Sequence, residues 1–592
     1  MSSSEFVADR ARSIARTVTG KTLWTVFVLA LGFVFVVPVS MIVIGAFRDG
    51  LPSQGLPFTV DGLVQAFTAG ATWRTLLNSL ILVVVCGSIS TIAGGLFAWI
   101  ATSTNVPLRR WLTPLMVVNL FVPPLFYTFG WIMLGNAQNG LINQFARLLG
   151  FPGSLIDIQS WGGLFLTMSL GFVPFAYLLM RGAFLNRDQS LDEAASIGGA
   201  STLRTFFTVT VPSVAPAITG AATLIMVLVF QAFEGPQLLG RPAGIYVFST
   251  QIYRYIRDEV PSMYSAAFAL ALIVIALVIV LFLVQRWLLR GRTFTTLTGK
   301  TSRREPQQFG PIRWVFTAVI VLFIVLNLVL PLSAMVLGSL QSIFGVWGSL
   351  SLDNYAHVLS DPMLSSSLAL TAYVSIGGGF IATAVALLTA YVVLRRRGFL
   401  KSYTSFAMWV PWALPGIVLA LAYLFTVLTI PGLSGLYGTS ILMTAVLVIG
   451  TIPLCSRIVE GALAQLSPEL EEAGKISGAG PLRVLGTIVL RLVIPSFAAG
   501  WFLAALFISG NLAIPTLLAP PGVQPVAQTA FQLFLLGDLA SGAALFMIIL
   551  VGAVVVLALA GTAMALARLR RRRKDAIATQ VVPSTEITRE PV

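Results

Sequence analysis

The sequence predicts an all-α integral membrane protein of twelve transmembrane helices, built as two parallel six-helix repeats. Three observations carry this prediction. Of 592 residues, 57% are hydrophobic and only 10% are charged, and the mean hydropathy of +0.91 lies far above that of a soluble chain. Windows of about 20 apolar residues, the length a helix needs to cross about 30 Å of hydrocarbon, recur twelve times. Two short polar segments between spans also repeat at a constant offset of 279 residues. The apolar runs are continuous and do not alternate, which favours helices over a barrel.

The first six spans are expected near 23–47, 76–103, 112–135, 161–180, 212–234 and 264–289. Six more follow near 313–338, 367–394, 403–428, 438–457, 493–515 and 539–567. The first is about 25 residues long and no small-x-small cleavage site closes it, so it is read as a retained span and not a signal peptide.

Lys and Arg stay on the cytoplasmic side of short loops. With both termini inside, all but six of the 37 basic residues fall on that side, the exceptions being Arg48, Arg74, Arg147, Arg241, Arg254 and Arg257. The net charge of +15 and the run Arg570–Lys574 suit a stop-transfer flank or a contact with anionic membrane lipid, and nucleic acid is not expected as a partner. Cys86 and Cys455 both fall within expected spans and form neither a disulfide framework nor a ligand cluster. The single histidine, His357, is placed in an outer loop.

A basic, turn-rich stretch at 291–311 reads as a cytoplasmic linker. It separates a first domain, 1–290, from a second, 312–575, with a disordered tail at 576–592. Each domain has an even number of spans, so both enter the membrane in the same direction. The 279-residue match extends beyond the polar segments: Met180–Ala183 aligns with Val459–Ala462, and Pro236–Leu239 with Pro515–Leu518. Farther upstream Val122-Pro123 pairs with Val410-Pro411 at offset 288. The first half therefore carries about nine extra residues in the outer loop after its third span.

The polar segments are short helices with defined ends. Ser190 and Glu193 have the spacing of a capping box, and Asp192 and Glu193 suit the positive end of a helix. Ser467 followed by Pro468 offers a capping hydroxyl and a proline at the first helical position. Gly199 and Gly478 are placed to end the helices in left-handed conformation. Helices of about nine residues are marginal alone in water, so each needs something to pack against.

The pattern Glu193-Ala194-Ala195, three residues, Gly199, then Val209, Val211 and Pro212 resembles the EAA loop of permease subunits of binding-protein-dependent ABC importers. The first loop, 190–212, fits at every element. The second, 467–495, keeps Glu472, Ala473 and Gly478 but has Gly474 for the second alanine and Arg491 for the terminal proline, while Pro495 matches Pro216. The resemblance covers essentially the whole chain, and the layout of two fused domains is similar to that of iron(III)-importer permeases. It implies that both loops are coupling helices seated in two copies of a cytoplasmic ATP-binding subunit. It also implies that an extracytoplasmic protein delivers the solute.

No phosphate-binding loop is present: Gly20-Lys21-Thr22 has Ala15, and Gly299-Lys300-Thr301 has Phe294, where a glycine is required. No catalytic constellation, metal site or cofactor site emerges, so the chain reads as a transport component and not as an enzyme. Polar residues within spans are candidates for the translocation path: Asn119, Gln231, Glu234 and Asn511. Glu234 lies about 33 Å along a straight helix from Pro212, which places it at the outer boundary as a solvated carboxylate. Trp131, Trp409 and Trp412 suit either a cavity lining or packing between spans. The alternative function is a secondary transporter driven by an ion gradient, for which two parallel six-span halves are equally natural. It would need ionisable relays inside the spans, which are nearly absent, and it gives the paired loops no role.

Overall fold

A computed structural model describes residues 3–48, 50–54, 57–188, 190–288, 306–412 and 414–580. Among the described residues the apolar stretches are helical, and the extended structure is two isolated bridges, Arg48 with Phe58 and Thr104 with Gln307. Nine helices are long and apolar enough to cross a membrane, or eleven spans if each of two bent helix pairs counts as one. The expected count of twelve differs at the ninth window. There two helices, Phe399–Trp412 and Gly416–Thr429, are interrupted ahead of Pro415, which stands at the cap of the second.

The third window is interrupted at the corresponding place. Arg109–Asn119 and Pro124–Gly135 meet at 103°, because Pro123 and Pro124 supply no N–H donors and Pro123 holds its neighbour away from helical geometry. In the fifth window Phe206–Ser213 and Ala215–Gln231 bend by 68°, with Pro212 and Pro216 removing two donors in close succession. The second copy, in which Arg491 stands for Pro212, accommodates Pro495 within one span, Leu485–Ser509. Just after each polar segment comes a five-residue π-helical stretch, Phe206–Thr210 and Leu485–Val489. The two stretches are in register at the same 279-residue offset.

Small residues bring spans together within each half, as backbones in a membrane can approach closely only where side chains are small. A Cβ on Gly94 would lie 2.6 Å from that of Ala176, and one on Gly379 would lie 2.9 Å from the Ala505 nitrogen. Between the halves the packing is reciprocal. Phe126 stacks on Phe546 at 4.2 Å, and Gly130 and Gly338 let Pro331 and Met133 close in, so the first half's third span sits among the seventh and twelfth. Phe425 meets Phe268 edge-on at 4.4 Å and the Tyr423 hydroxyl donates to the Val34 carbonyl, so the second half's Gly416–Thr429 sits among the first and sixth. One buried hydrophobic cluster runs through all of these.

Both polar segments lie at the same end of this bundle. Trp24, at the start of the first span, stacks on Tyr391 near the end of the eighth, while the far end of that first span meets Phe268 at Gly45. Ser103 and Thr104, closing the second span, adjoin Gln307 ahead of the seventh. At the opposite end the extra loop of the first half forms the helix Leu141–Leu148. Its Gln144 donates to the Gly345 carbonyl at 3.0 Å and accepts from the Trp347 indole. His357 is exposed there on the helix Asp353–Ser360. The last helix continues to Gln580, past residue 576 where the tail was expected to begin.

Candidate functional site

The first polar segment is the helix Ser190–Ile197 and the second is Pro468–Ile476. The expected capping box does not form, because Ser190 is already helical and Asp188 takes its place: the Ser190 N–H donates to Asp188 Oδ1 at 2.9 Å. That bond, with a further one from the Ser190 side chain, holds the Asp188 carboxyl below the usual range. The second start is as expected, with Pro468 first and the Glu469 N–H donating to the Ser467 hydroxyl at 3.3 Å. Gly199 and Gly478 both have φ +81°, a conformation that glycine adopts without a Cβ penalty. The Ala200 N–H returns to the Ala195 carbonyl and the Ala479 N–H to the Gly474 carbonyl, closing each helix with the bond pattern of a left-handed cap.

Each helix has one buried carboxylate, and it is the residue before the expected glutamate. Asp192 and Glu471 are 7% and 4% exposed, whereas Glu193 and Glu472 are exposed. Asp192 pairs with Arg187 at 2.5 Å and accepts from the Thr210 hydroxyl at 3.1 Å. Arg187 also reaches the Ser103 hydroxyl at 3.3 Å. Glu471 pairs with Arg395 at 2.7 Å and accepts from the Tyr391 hydroxyl at 2.9 Å, while Arg395 donates to the Leu466 carbonyl at 2.9 Å. Asp192 and Glu471 are equivalent by the 279-residue offset, but their guanidinium partners are not. One comes from the stem of the loop itself and the other from the end of the eighth span. A buried pair of this kind is costly to break from one side, about 3–5 kcal/mol, because the remaining charge is stranded.

The outward surfaces match at their leucine, glutamate, alanine and isoleucine positions, while exposed Ser190 has Glu469 as its counterpart. Leu191 and Leu470 are 51% and 47% exposed, and Ile197 and Ile476 are 89% and 88% exposed. Ala194 and Ala473 are exposed between them and Ala195 is half-buried. Gly474, where the first copy has Ala195, is explained by its neighbours. A Cβ there would lie 2.7 Å from Ile488 Cδ1 and 3.2 Å from Val484 Cγ2, and the first copy, with its alanine, carries the smaller Val209 at the position equivalent to Ile488. Residue volume has moved across the contact without changing its sum, the exchange that packed interiors tolerate best.

The path candidates divide into two groups. Asn119 is buried and donates to the Asn327 carbonyl at 3.0 Å, and Tyr127 donates to Asn327 Oδ1 at 2.6 Å. Asn119 therefore ties the third span to the seventh. Gln231 closes the helix Ala215–Gln231 just ahead of Glu234. Glu234 and Asn511 come together from opposite halves: the Leu512 N–H donates to Glu234 Oε1 at 3.4 Å, and Asn511 Oδ1 accepts from the Ile514 N–H at 3.0 Å. Next to them a Cβ on Gly510 would lie 2.1 Å from that of Pro123, and Pro123 falls midway along Arg109–Gly135. Glu234 is thus half-buried and bonded to the backbone of the second half, where a solvated carboxylate was expected. The straight-helix projection fails because the chain bends at Val214 and leaves the helix at Ala232. Trp131 is buried with its indole N–H unpaired, and the side chains of Trp409 and Trp412 lie outside the described residues.

Among the described residues, long apolar helices with two matching polar loops at one end form the architecture of a multi-pass membrane protein. Residues 90–294 and 380–574 each match the family of binding-protein-dependent transport system inner membrane components; the chain belongs to this family and carries its domain twice, in fused form. It is similar to the ferric transport system permease protein FbpB of Actinobacillus pleuropneumoniae, 26% identical over 79% of this chain and 67% of that protein. The Fe(3+)-transport system permease protein FbpB 2 of Haemophilus influenzae is 22% identical over 77% of this chain and 83% of its own length. A chain of a solved bacterial ABC transporter involved in alginate import aligns over 47% of this chain and 97% of its own, with a TM-score of 0.32 and 19% identity.

Sequence reasoning identified both helices and read Asp192 as a partner of the helix dipole, but it gave Glu471, Arg187, Arg395 and Tyr391 no part in the site. The signal was present in helical spacing: Asp192 shares a face with the half-buried Ala195 three residues on, while Glu193 shares one with the exposed Ile197 four residues on.

Proposed function

We propose that this protein is the membrane-spanning permease of an ATP-driven importer, coupled through Ser190–Ile197 and Pro468–Ile476 to two copies of a cytoplasmic ATP-binding subunit. The observation that supports this best is the doubling itself. Two helices at one end of the bundle, each held by a buried carboxylate, present the same exposed leucine, glutamate and isoleucine.

In this reading Glu193, Ala194 and Ala195, with Glu472 and Ala473, form the docked faces, and Gly199 and Gly478 end them. The basic end and both termini face the cytoplasm, domains 1–290 and 312–575 are joined by the linker 291–311, and ATP hydrolysis belongs to the partner subunits. Closure of those subunits moves the two helices, and the buried ion pairs pass the displacement to the spans. The solute is ferric ion handed over by an extracytoplasmic binding protein, in line with the ferric permeases that resemble this chain along most of its length. Glu234 and Asn511, with Asn119 and Gln231 nearby in the spans, line the path. A single carboxylate offers a hard cation a weak site that it can leave.

Affinity purification of the full chain co-expressed with its ATP-binding subunit tests this. The wild type should retain the ATPase, and the double variant E193K/E472K, which reverses charge on both exposed faces without touching the buried pairs, should lose it. Nucleotide-independent, gradient-driven uptake by the purified chain alone would reject the reading.

A further inference from the structure

We infer that the basic end of the first half binds a phosphate-bearing anion, supplied by the headgroup of an anionic phospholipid, in a cavity lined by Arg109, Arg110 and Arg181. The cavity has a volume of about 210 Å³, and Ala101, Thr102, Leu185 and Pro306 complete its wall. Among the described residues no carboxylate lines it.

Three arginine side chains line it together. Arg109 donates to the Thr104 carbonyl, and the Arg181 Nε–H is buried with no acceptor. The helix Arg109–Asn119 opens on this cavity with no side-chain cap and no acid in its first turn. Two arginines at the positive end of a helix oppose its dipole, so an anion seated there would offset both. Guanidinium forks match phosphate oxygens in pairs and are more weakly hydrated than ammonium groups.

The second half provides an internal control. The residue equivalent to Arg181 is Glu460, which accepts from Ser456 at 3.1 Å and pairs with Arg457 at 3.4 Å in a smaller cavity of about 80 Å³. That half supplies its own negative charge at the position where the first half has a third arginine. Lipid is favoured over soluble phosphate by the surroundings. Leu108 and Trp111 are 42% and 61% exposed beside the arginines, an arrangement that suits a headgroup with its acyl chains at the membrane boundary. Basic pockets between spans on the cytoplasmic side are the physical setting for such binding.

The cavity also adjoins the first anchor, since Thr102 and Ser103 share a hydroxyl contact at 3.2 Å and Ser103 accepts from Arg187. Bound lipid would brace the loop that docks the ATPase, a consequence that rests on the proposed function, whereas binding itself does not.

The full-length protein is delipidated and returned to nanodiscs of phosphatidylcholine with graded phosphatidylglycerol, and bound lipid is counted by native mass spectrometry. The wild type should retain phosphatidylglycerol, and R110Q/R181Q should bind it about 25-fold more weakly, at roughly fivefold for each arginine near an anionic surface. Lipid is counted on the chain alone, without its ATPase, so failure here is separable from failure of the docking role. Equal phosphatidylglycerol retention by wild type and variant overturns the proposal. So does saturation by inorganic phosphate that phosphatidylglycerol cannot displace, or lipid binding that appears only in E305Q, which would mean that the linker's own carboxylate fills the site.

Discussion

At residue scale the two loops are best understood as one design executed with different atoms. Glycine at 474 answers isoleucine at 488, as alanine at 195 answers valine at 209. G474A should therefore lower stability by about 1–3 kcal/mol through overpacking, and I488V should restore it in the double variant. Thermal unfolding in detergent reads both, and equal Tm values for the wild type and G474A would show that the contact yields without strain. The departure from Glu-Ala-Ala was visible in sequence, but its compensation was not, because residues fourteen apart meet only once the loop has folded back. Asp192 and Glu471 were obscured for a related reason. Adjacent acids are indistinguishable in composition, and only the helical face on which each lies decides which is buried.

At the scale of elements, the contrast lies in what each anchor joins. Arg187 belongs to the stem of its own loop, so Asp192 ties that helix to the stem and, through Thr210 and Ser103, to the fifth and second spans. Arg395 and Tyr391 belong to the eighth span, so Glu471 ties its helix directly to a neighbouring membrane helix. E471Q should accordingly reduce solute uptake per ATP hydrolysed in proteoliposomes several-fold and more than D192N does, with the ATPase still bound in both. A fall in ATP hydrolysis that parallels uptake would assign these carboxylates to docking and not to transmission. Helix positions were largely legible, since apolar length fixes a span whatever its neighbours. The bends were less so: the paired prolines at 212 and 216 foretell a kink, but the 68° and 103° angles are set by packing against other spans.

At the scale of the whole molecule the two halves meet at the breaks in their spans. Glu234 from the first half accepts a backbone hydrogen bond from Leu512 of the second, beside the close approach of Gly510 and Pro123. Discontinuous helices near mid-depth are where transporters of several folds hold their solute. E234Q should lower the rate of solute uptake at least tenfold while leaving ATPase capture intact, a loss of about 1.4 kcal/mol or more in transition-state stabilisation. Unaltered uptake would make Glu234 a brace between halves only. The sequence could not reveal this convergence, because it depends on which half each third span joins. That exchange of partners has a consequence for biosynthesis. When the sixth span leaves the ribosome, the side of the third span bearing Phe126 and Met133 still lacks the seventh and twelfth spans that will cover it. The nascent first half must wait in the bilayer with that seam open, sealed by lipid alone, until translation nears its end.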